Sequence, residues 1–211
     1  MDSKKIIQTT EDFVINNITK HDSAHDWWHI DRVRRIALFI CKEEKSGNPL
    51  IVEVSALLHE IGDRKFNDNS GEDVISKMRK MLLETGLNEQ VINEIVFISQ
   101  NISFSKGYKG KGITDEFKII QDADRLDAIG AIGIARAFSY GGFTGVPLFD
   151  PEGHRESTIR HFYDKLLKLK DLMNTETAKK LAEERHIYMA GFLDRFYQEW
   201  NMAGIGYCSR R

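Results

Sequence analysis

Ala56-Leu57-Leu58-His59-Glu60-Ile61-Gly62-Asp63 brings an apolar run up against an imidazole and two carboxylates. Counting back from His59, Val52, Ser55 and Ala56 stand at −7, −4 and −3. The imidazole therefore projects from the buried stripe of a helix expected over about 50–61, opened by Pro49 and stopped near Gly62. Two other segments repeat the arrangement. His29 is followed by Val33, Ile36, Ala37 and Ile40 at +4, +7, +8 and +11, and Asp124 has Phe117 and Ile120 at −7 and −4 and Ala128 at +4. A buried carboxylate is costly unless a cation or several donors compensate it, and a shared divalent cation would satisfy all three groups together. Each also has an ordinary reading: a hydrogen-bonded core imidazole, or an Asp124 paired with Arg125 or the backbone. Spacing alone leaves the two open.

Outward from these segments the helical period continues. Helices are expected near 72–85, 88–102, 116–139, 155–173 and 175–199, the last capped by Thr175. There is no alternating strand pattern and no internal repeat, and three prolines leave room for long helices. Residues 103–114 and 140–154, rich in glycine, read as loops able to rim a site. The expectation is an all-α chain forming one domain over residues 1–211. Hydrophobic residues at 41% and charged residues at 29% exclude extensive disorder, and a net charge of −2 provides no field for general nucleic-acid binding. Two cysteines, Cys41 on an apolar helix face and Cys208 in the tail, suit a reducing compartment. No apolar run approaches a membrane span and no signal peptide is evident, so a cytoplasmic protein is expected.

His29-Ile30-Asp31-Arg32-Val33, the His59 segment and Gln121-Asp122-Ala123-Asp124-Arg125-Leu126-Asp127 together resemble the HD-domain superfamily of metal-dependent phosphohydrolases. That family's signature is a His, then a His-Asp pair, then a distant Asp. The resemblance spans about residues 20–135. The remainder, with helices over 155–200 and Ser157-Thr158-Ile159-Arg160-His161-Phe162-Tyr163, is similar to a small bacterial branch of the superfamily. It implies His29, His59 and Asp124 as metal ligands, with position 60 as the fourth. Asp122, two residues or about 200° around the helix from Asp124, is the competing carboxylate. This chain departs from the pattern at Glu60, which keeps the charge but lengthens the arm; Glu60 could ligate directly, through water, or not at all. Residues 61–123 hold no histidine, and two-metal members carry histidines there, which points to one divalent ion and away from di-iron oxygen chemistry. Mn, Fe, Co, Ni, Zn and Mg are not distinguished by this ligand set.

The implied activity is hydrolysis of a small phosphorylated substrate, a phosphate ester such as a nucleotide, by metal-activated water. Asp63, four residues after His59, is the candidate to orient or deprotonate that water, although it could simply pair with Arg64 or Lys65. His25, Arg64, Lys65, Lys106 and Arg155 are candidate substrate contacts, each with an ordinary solvated reading, and His161 and Tyr163 could reach a pocket or pack between helices. His25 also belongs to the i, i+4, i+8 series His21, His25, His29, within which Ser23 and Asp26 mark a helix start. The alternative is a catalytically weakened HD-type protein that binds a nucleotide or a protein partner, with Glu60 as the feature in its favour.

Overall fold

Most of the helices are opened by a residue whose side chain caps the first turn. The computed structural model describes residues 2–18, 26–61, 74–102 and 113–201. Within them α1 spans Ser3–Asn17, α2 Trp27–Glu44, α3 Pro49–Leu58, α4 Val74–Glu84, α5 Glu89–Asn101, α6 Asp115–Asp127, α7 Gly130–Thr144, α8 Thr158–Asp164 and α9 Glu176–Trp200, with a 3-10 segment at Leu166–Leu172. Asp26, Asn48, Asn88, Thr114, Ser157 and Thr175 each accept a hydrogen bond from a first-turn backbone N–H of the helix they precede. No strand occurs among the described residues, and none of their helices is long and apolar enough to cross a membrane.

Two apolar clusters share α2, α3 and α5. One gathers Val33, Ala37 and Ile40 with Val52, Ile98, Phe117, Ile120, Phe162 and Met189. The other gathers Ile30 with Ile6, Val14, Leu57, Leu58, Met78 and Ile95. α3 is buried nearly all round, as its almost uniformly apolar sequence demands, and α2 packs chiefly on α3 and α6. His29, His59 and Asp124 are carried by α2, the end of α3 and α6, so this packing brings them to one place.

Four expected spans are corrected. The helix over 50–61 stops at Leu58, and His59, Glu60 and Ile61 form a turn. The helix over 116–139 is two, broken at Ala128–Gly130, because Gly130 adopts φ +79°, a conformation that ends a right-handed helix. The loop over 140–154 starts later, since α7 runs to Thr144. The helix over 155–173 divides into α8 and the 3-10 segment. The Gly130 break has an energetic consequence. A Cβ there would stand 2.9 Å from Arg185 Cγ on a backbone that side chains rarely adopt. Gly130→Ala is therefore expected to lose about 1–3 kcal/mol, read as a melting temperature lower by roughly 3–10 °C.

Candidate metal centre

The Asp26 carboxylate receives the His29 backbone N–H at 2.9 Å, which starts α2 so that His29 lies in its first turn and faces the protein interior. His59 follows the last residue of α3, where helix carbonyls lack partners, and its Nδ1 donates to the Ala56 carbonyl at 2.6 Å. Ile61 N closes a turn on Leu58 O at 3.1 Å, and that turn carries Glu60. α6 supplies Asp124, and one helical turn later Asp127.

These contacts assign the ring protons. A carbonyl only accepts, so His59 Nδ1 carries its proton. His29 Nδ1 lies 2.8 Å from Asp127 Oδ2, and Asp127 is ionised. Burial works to raise its pKa, but His29, Arg32 and Arg136 hold it far below the usual carboxylate range. His29 Nδ1 is thus also a donor, and both rings turn Nε2 inward, only 3.2 Å apart. Two lone pairs at that distance repel unless a cation lies between them. Glu60 Oε1 is 3.1 Å from His29 Nε2 and 3.5 Å from His59 Nε2, and Asp124 Oδ1 is 3.6 Å from His29 Nε2. One donor atom from each of His29, His59, Glu60 and Asp124 lies within 4.8 Å of all the others. Two imidazole nitrogens and two carboxylate oxygens form a donor set that fits one divalent ion.

Without a metal a proton meets the same need. Burial works to lower the His59 pKa, yet Glu60, by hydrogen bond and charge, and Asp124 push it up to about 9. Burial likewise favours a neutral Glu60, but the two histidines hold it well below its ordinary value. The side chains of His29 and His59 are 0% and 2% exposed, against 15% for Glu60 and 28% for Asp124, so the centre opens to solvent on its carboxylate side.

Asp127, Arg32 and Arg136 are the functional residues that sequence reasoning missed. Asp127 accepts from His29 Nδ1, from Arg32 Nε at 2.7 Å and Nη2 at 3.1 Å, and from Arg136 Nη1 at 2.7 Å. A carboxylate behind a ligating histidine fixes its tautomer and raises its basicity. The available signal was spacing: Asp127 lies three residues after Asp124 and Arg32 three after His29, each on the same helix face. Asp127→Asn is expected to lower metal affinity by about 10–100-fold, measured by titration calorimetry. Because the folded Asp127 pKa is depressed, its contribution to stability is complete above about pH 4 and is lost as pH falls below that. The acid limb of the parent's stability curve should therefore be steeper than that of Asp127→Asn.

The remaining candidates divide. His25, Asp63, Arg64, Lys65 and Lys106 lie outside the described residues. Arg155 is exposed and is tied down through its backbone N, which donates to Asp150 Oδ2 at 2.7 Å. His161 lines a cavity between α7 and α8, and Tyr163 is half-exposed, with its hydroxyl pKa pushed up to about 12 by burial and by a hydrogen bond with Tyr197. Asp122 faces away from the centre and accepts from Asn174 and Thr175 at the start of α9. Arg125 donates to the Leu172 carbonyl and is not hydrogen-bonded to Asp124.

The HD domain family model matches residues 27–129, the span from the first residue of α2 to the break before α7. The uncharacterized protein YpgQ of Bacillus subtilis is 42% identical over 178 residues, which cover 83% of this chain and 84% of that one. A crystal structure of Bacillus subtilis YpgQ in complex with ADP superposes with a TM-score of 0.80 at 35% identity, covering 94% of this chain and 97% of that chain. The crystal structure of an HD-superfamily hydrolase from Bacillus thuringiensis does so with a TM-score of 0.76 at 42% identity, covering 94% and 98%. By these similarities, and by the His, His and Asp that its core helices bring together, the chain belongs to the HD-domain superfamily.

Proposed function

We propose that this chain is a metal-dependent phosphohydrolase that acts on a nucleotide or closely similar phosphate ester, with one divalent ion held by His29, His59, Glu60 and Asp124. The observation that carries the reading is the pair of Nε2 atoms facing each other at 3.2 Å between two carboxylates. A divalent ion, when bound, supplies Lewis acidity toward a phosphoryl oxygen and lowers the pKa of water. The chain's own groups do the rest. The Ala56 carbonyl and Asp127 hold the two tautomers so that both lone pairs face the ion. The exposed side of Asp124 leaves room for a phosphate oxygen to approach. Asp63 is proposed to orient and deprotonate the attacking water, and His25, Arg64, Lys65, Lys106 and Arg155 to meet the charged substrate. A structure of the similar YpgQ in complex with ADP supports a nucleotide as the ligand class.

The test is turnover of a nucleotide and phosphate-ester panel by protein loaded in turn with Mn²⁺, Co²⁺, Ni²⁺, Fe²⁺, Zn²⁺ and Mg²⁺. The parent is expected to turn over at least one nucleotide, and His59→Ala to lose about 10³-fold or more of that activity. Equal activity in the variant would overturn the proposal. The one feature that favours a non-catalytic binding protein is glutamate in place of the signature aspartate. Its position against both Nε2 atoms weighs the other way.

A further inference from the structure

α7, α8 and the segment between them enclose a cavity of about 520 Å³, within the range of small-molecule sites. It lies almost entirely beyond the residues matched by the family model, yet it adjoins the metal centre at two points. Arg136 on its wall donates to Asp127, which accepts from His29, so one carboxylate separates cavity from ligand. Ala128, also on the wall, stands four residues after Asp124, one turn along the same face of α6.

The lining shows what kind of group fits. Ala128, Ala137, Val146 and Leu166 give an apolar surface, and Tyr140, with a half-exposed ring, stands among them. The hydroxyl residues Ser157 and Thr158 and the ionisable Glu156, His161 and Lys165 also stand on the wall. Two of the cavity's cations are already matched by carboxylates, Arg136 with Asp127 at 2.7 Å and Arg160 with Asp164 at 3.3 Å. With Glu156 on the same wall as Lys165, the lining carries no surplus of positive charge, and a flat group with hydrogen-bonding edges suits it better than a second phosphate does. The cavity also has a fixed width. Thr158 N donates to Pro147 O at 2.9 Å and Ile159 N to Leu148 O at 3.1 Å, which ties α8 to the incoming strand of chain. Gly141 lets α8 approach closely, since a Cβ there would meet Thr158 Oγ1 at 2.2 Å.

We propose that the α7–α8 cavity is the subsite for the nucleoside of a nucleotide whose phosphate reaches the metal centre, with the Tyr140 ring stacking on the base. This rests on the nucleotide reading of the proposed function, and it places substrate selectivity in α7 and α8, outside the metal-binding core. The experiment is titration calorimetry on Mn²⁺-loaded protein with ADP and, separately, inorganic phosphate, together with Mn²⁺ titration of the metal-free protein. It compares the parent with Tyr140→Ala, which removes the ring, and Ala137→Phe, which fills the cavity. Tyr140→Ala should weaken ADP binding roughly tenfold and Ala137→Phe at least as much, with phosphate and Mn²⁺ affinities unchanged within about twofold. Tyr140→Ala alters a half-exposed ring, so it keeps the test decisive if Ala137→Phe fails to fold. ADP affinity unchanged in the variants would overturn the subsite and leave the nucleotide reading standing. A parallel fall in Mn²⁺ or phosphate affinity would also overturn it, by placing the damage at the centre. A parent that binds Mn²⁺ but not ADP would overturn both.

Discussion

Replacing Glu60 with glutamine is expected to lower Mn²⁺ affinity by about 10–100-fold or more while leaving the fold intact. Glutamine keeps the length and an acceptor oxygen but removes a charge that the two histidines hold ionised well below its ordinary pKa. The centre would then offer one carboxylate against two buried imidazoles. Glu60→Asp retains the charge on a shorter arm and should bind more strongly than Glu60→Gln. The pH dependence follows from His59. Its metal-free pKa is about 9, because Glu60 and Asp124 outweigh the burial that works to lower it. Metal and proton compete for the same Nε2, so apparent affinity should rise by about tenfold per pH unit up to roughly pH 9 and then level. Stability of the metal-free protein runs the other way. A raised histidine pKa contributes fully below about 6.5, and that contribution fades as pH climbs through 9. Titration calorimetry and thermal melts over pH 6–10 measure both trends.

The largest expected loss of stability comes from Asp122, only two residues from a metal ligand. Its fully buried carboxylate accepts from Asn174 N, Asn174 Nδ2, Thr175 N and Thr175 Oγ1, all at 2.8–3.1 Å. Burial pushes its pKa up and these donors oppose the shift. The carboxylate also stands at the N-terminus of α9, where partial positive charge gathers. Asp122→Ala strands several buried donors and should cost about 3–5 kcal/mol, a melting temperature lower by roughly 10 °C. Asp124→Ala reverses the pattern, with metal binding lost and stability of the metal-free protein little changed. Calorimetric melts and metal titrations on the two variants separate the roles of neighbouring aspartates on opposite faces of α6.

How far the site is legible in the sequence depends on which contacts are local. His29, His59 and Asp124 each follow an apolar stripe on their own helix, and a stripe is a property of neighbours three and four residues away. Glu60 lies in the turn after α3, where that period has ended, so its approach to both Nε2 atoms needed three dimensions. Asp127 was adjacent in the chain and still hidden, because its partners His29 and Arg32 are more than ninety residues away. The stripe favoured Asp124 over Asp122, but the duty of Asp122 was hidden, because its partners lie at the start of α9 some fifty residues later. The break at Gly130 escaped because Ala131-Ile132-Gly133-Ile134-Ala135 continues a helical pattern across it. A positive φ leaves no trace in apolar periodicity.

In the proposed centre His29, His59, Glu60 and Asp124 hold one divalent ion together. The most direct test is an anomalous difference map from Mn²⁺-soaked crystals of the full chain, recorded on the high-energy side of the manganese absorption edge. One strong peak per chain is expected, bounded by His29 Nε2, His59 Nε2, a Glu60 oxygen and an Asp124 oxygen, each at about 2.0–2.3 Å. A peak that excludes Glu60, or no peak between the two histidines at saturating Mn²⁺, would contradict this ligand set.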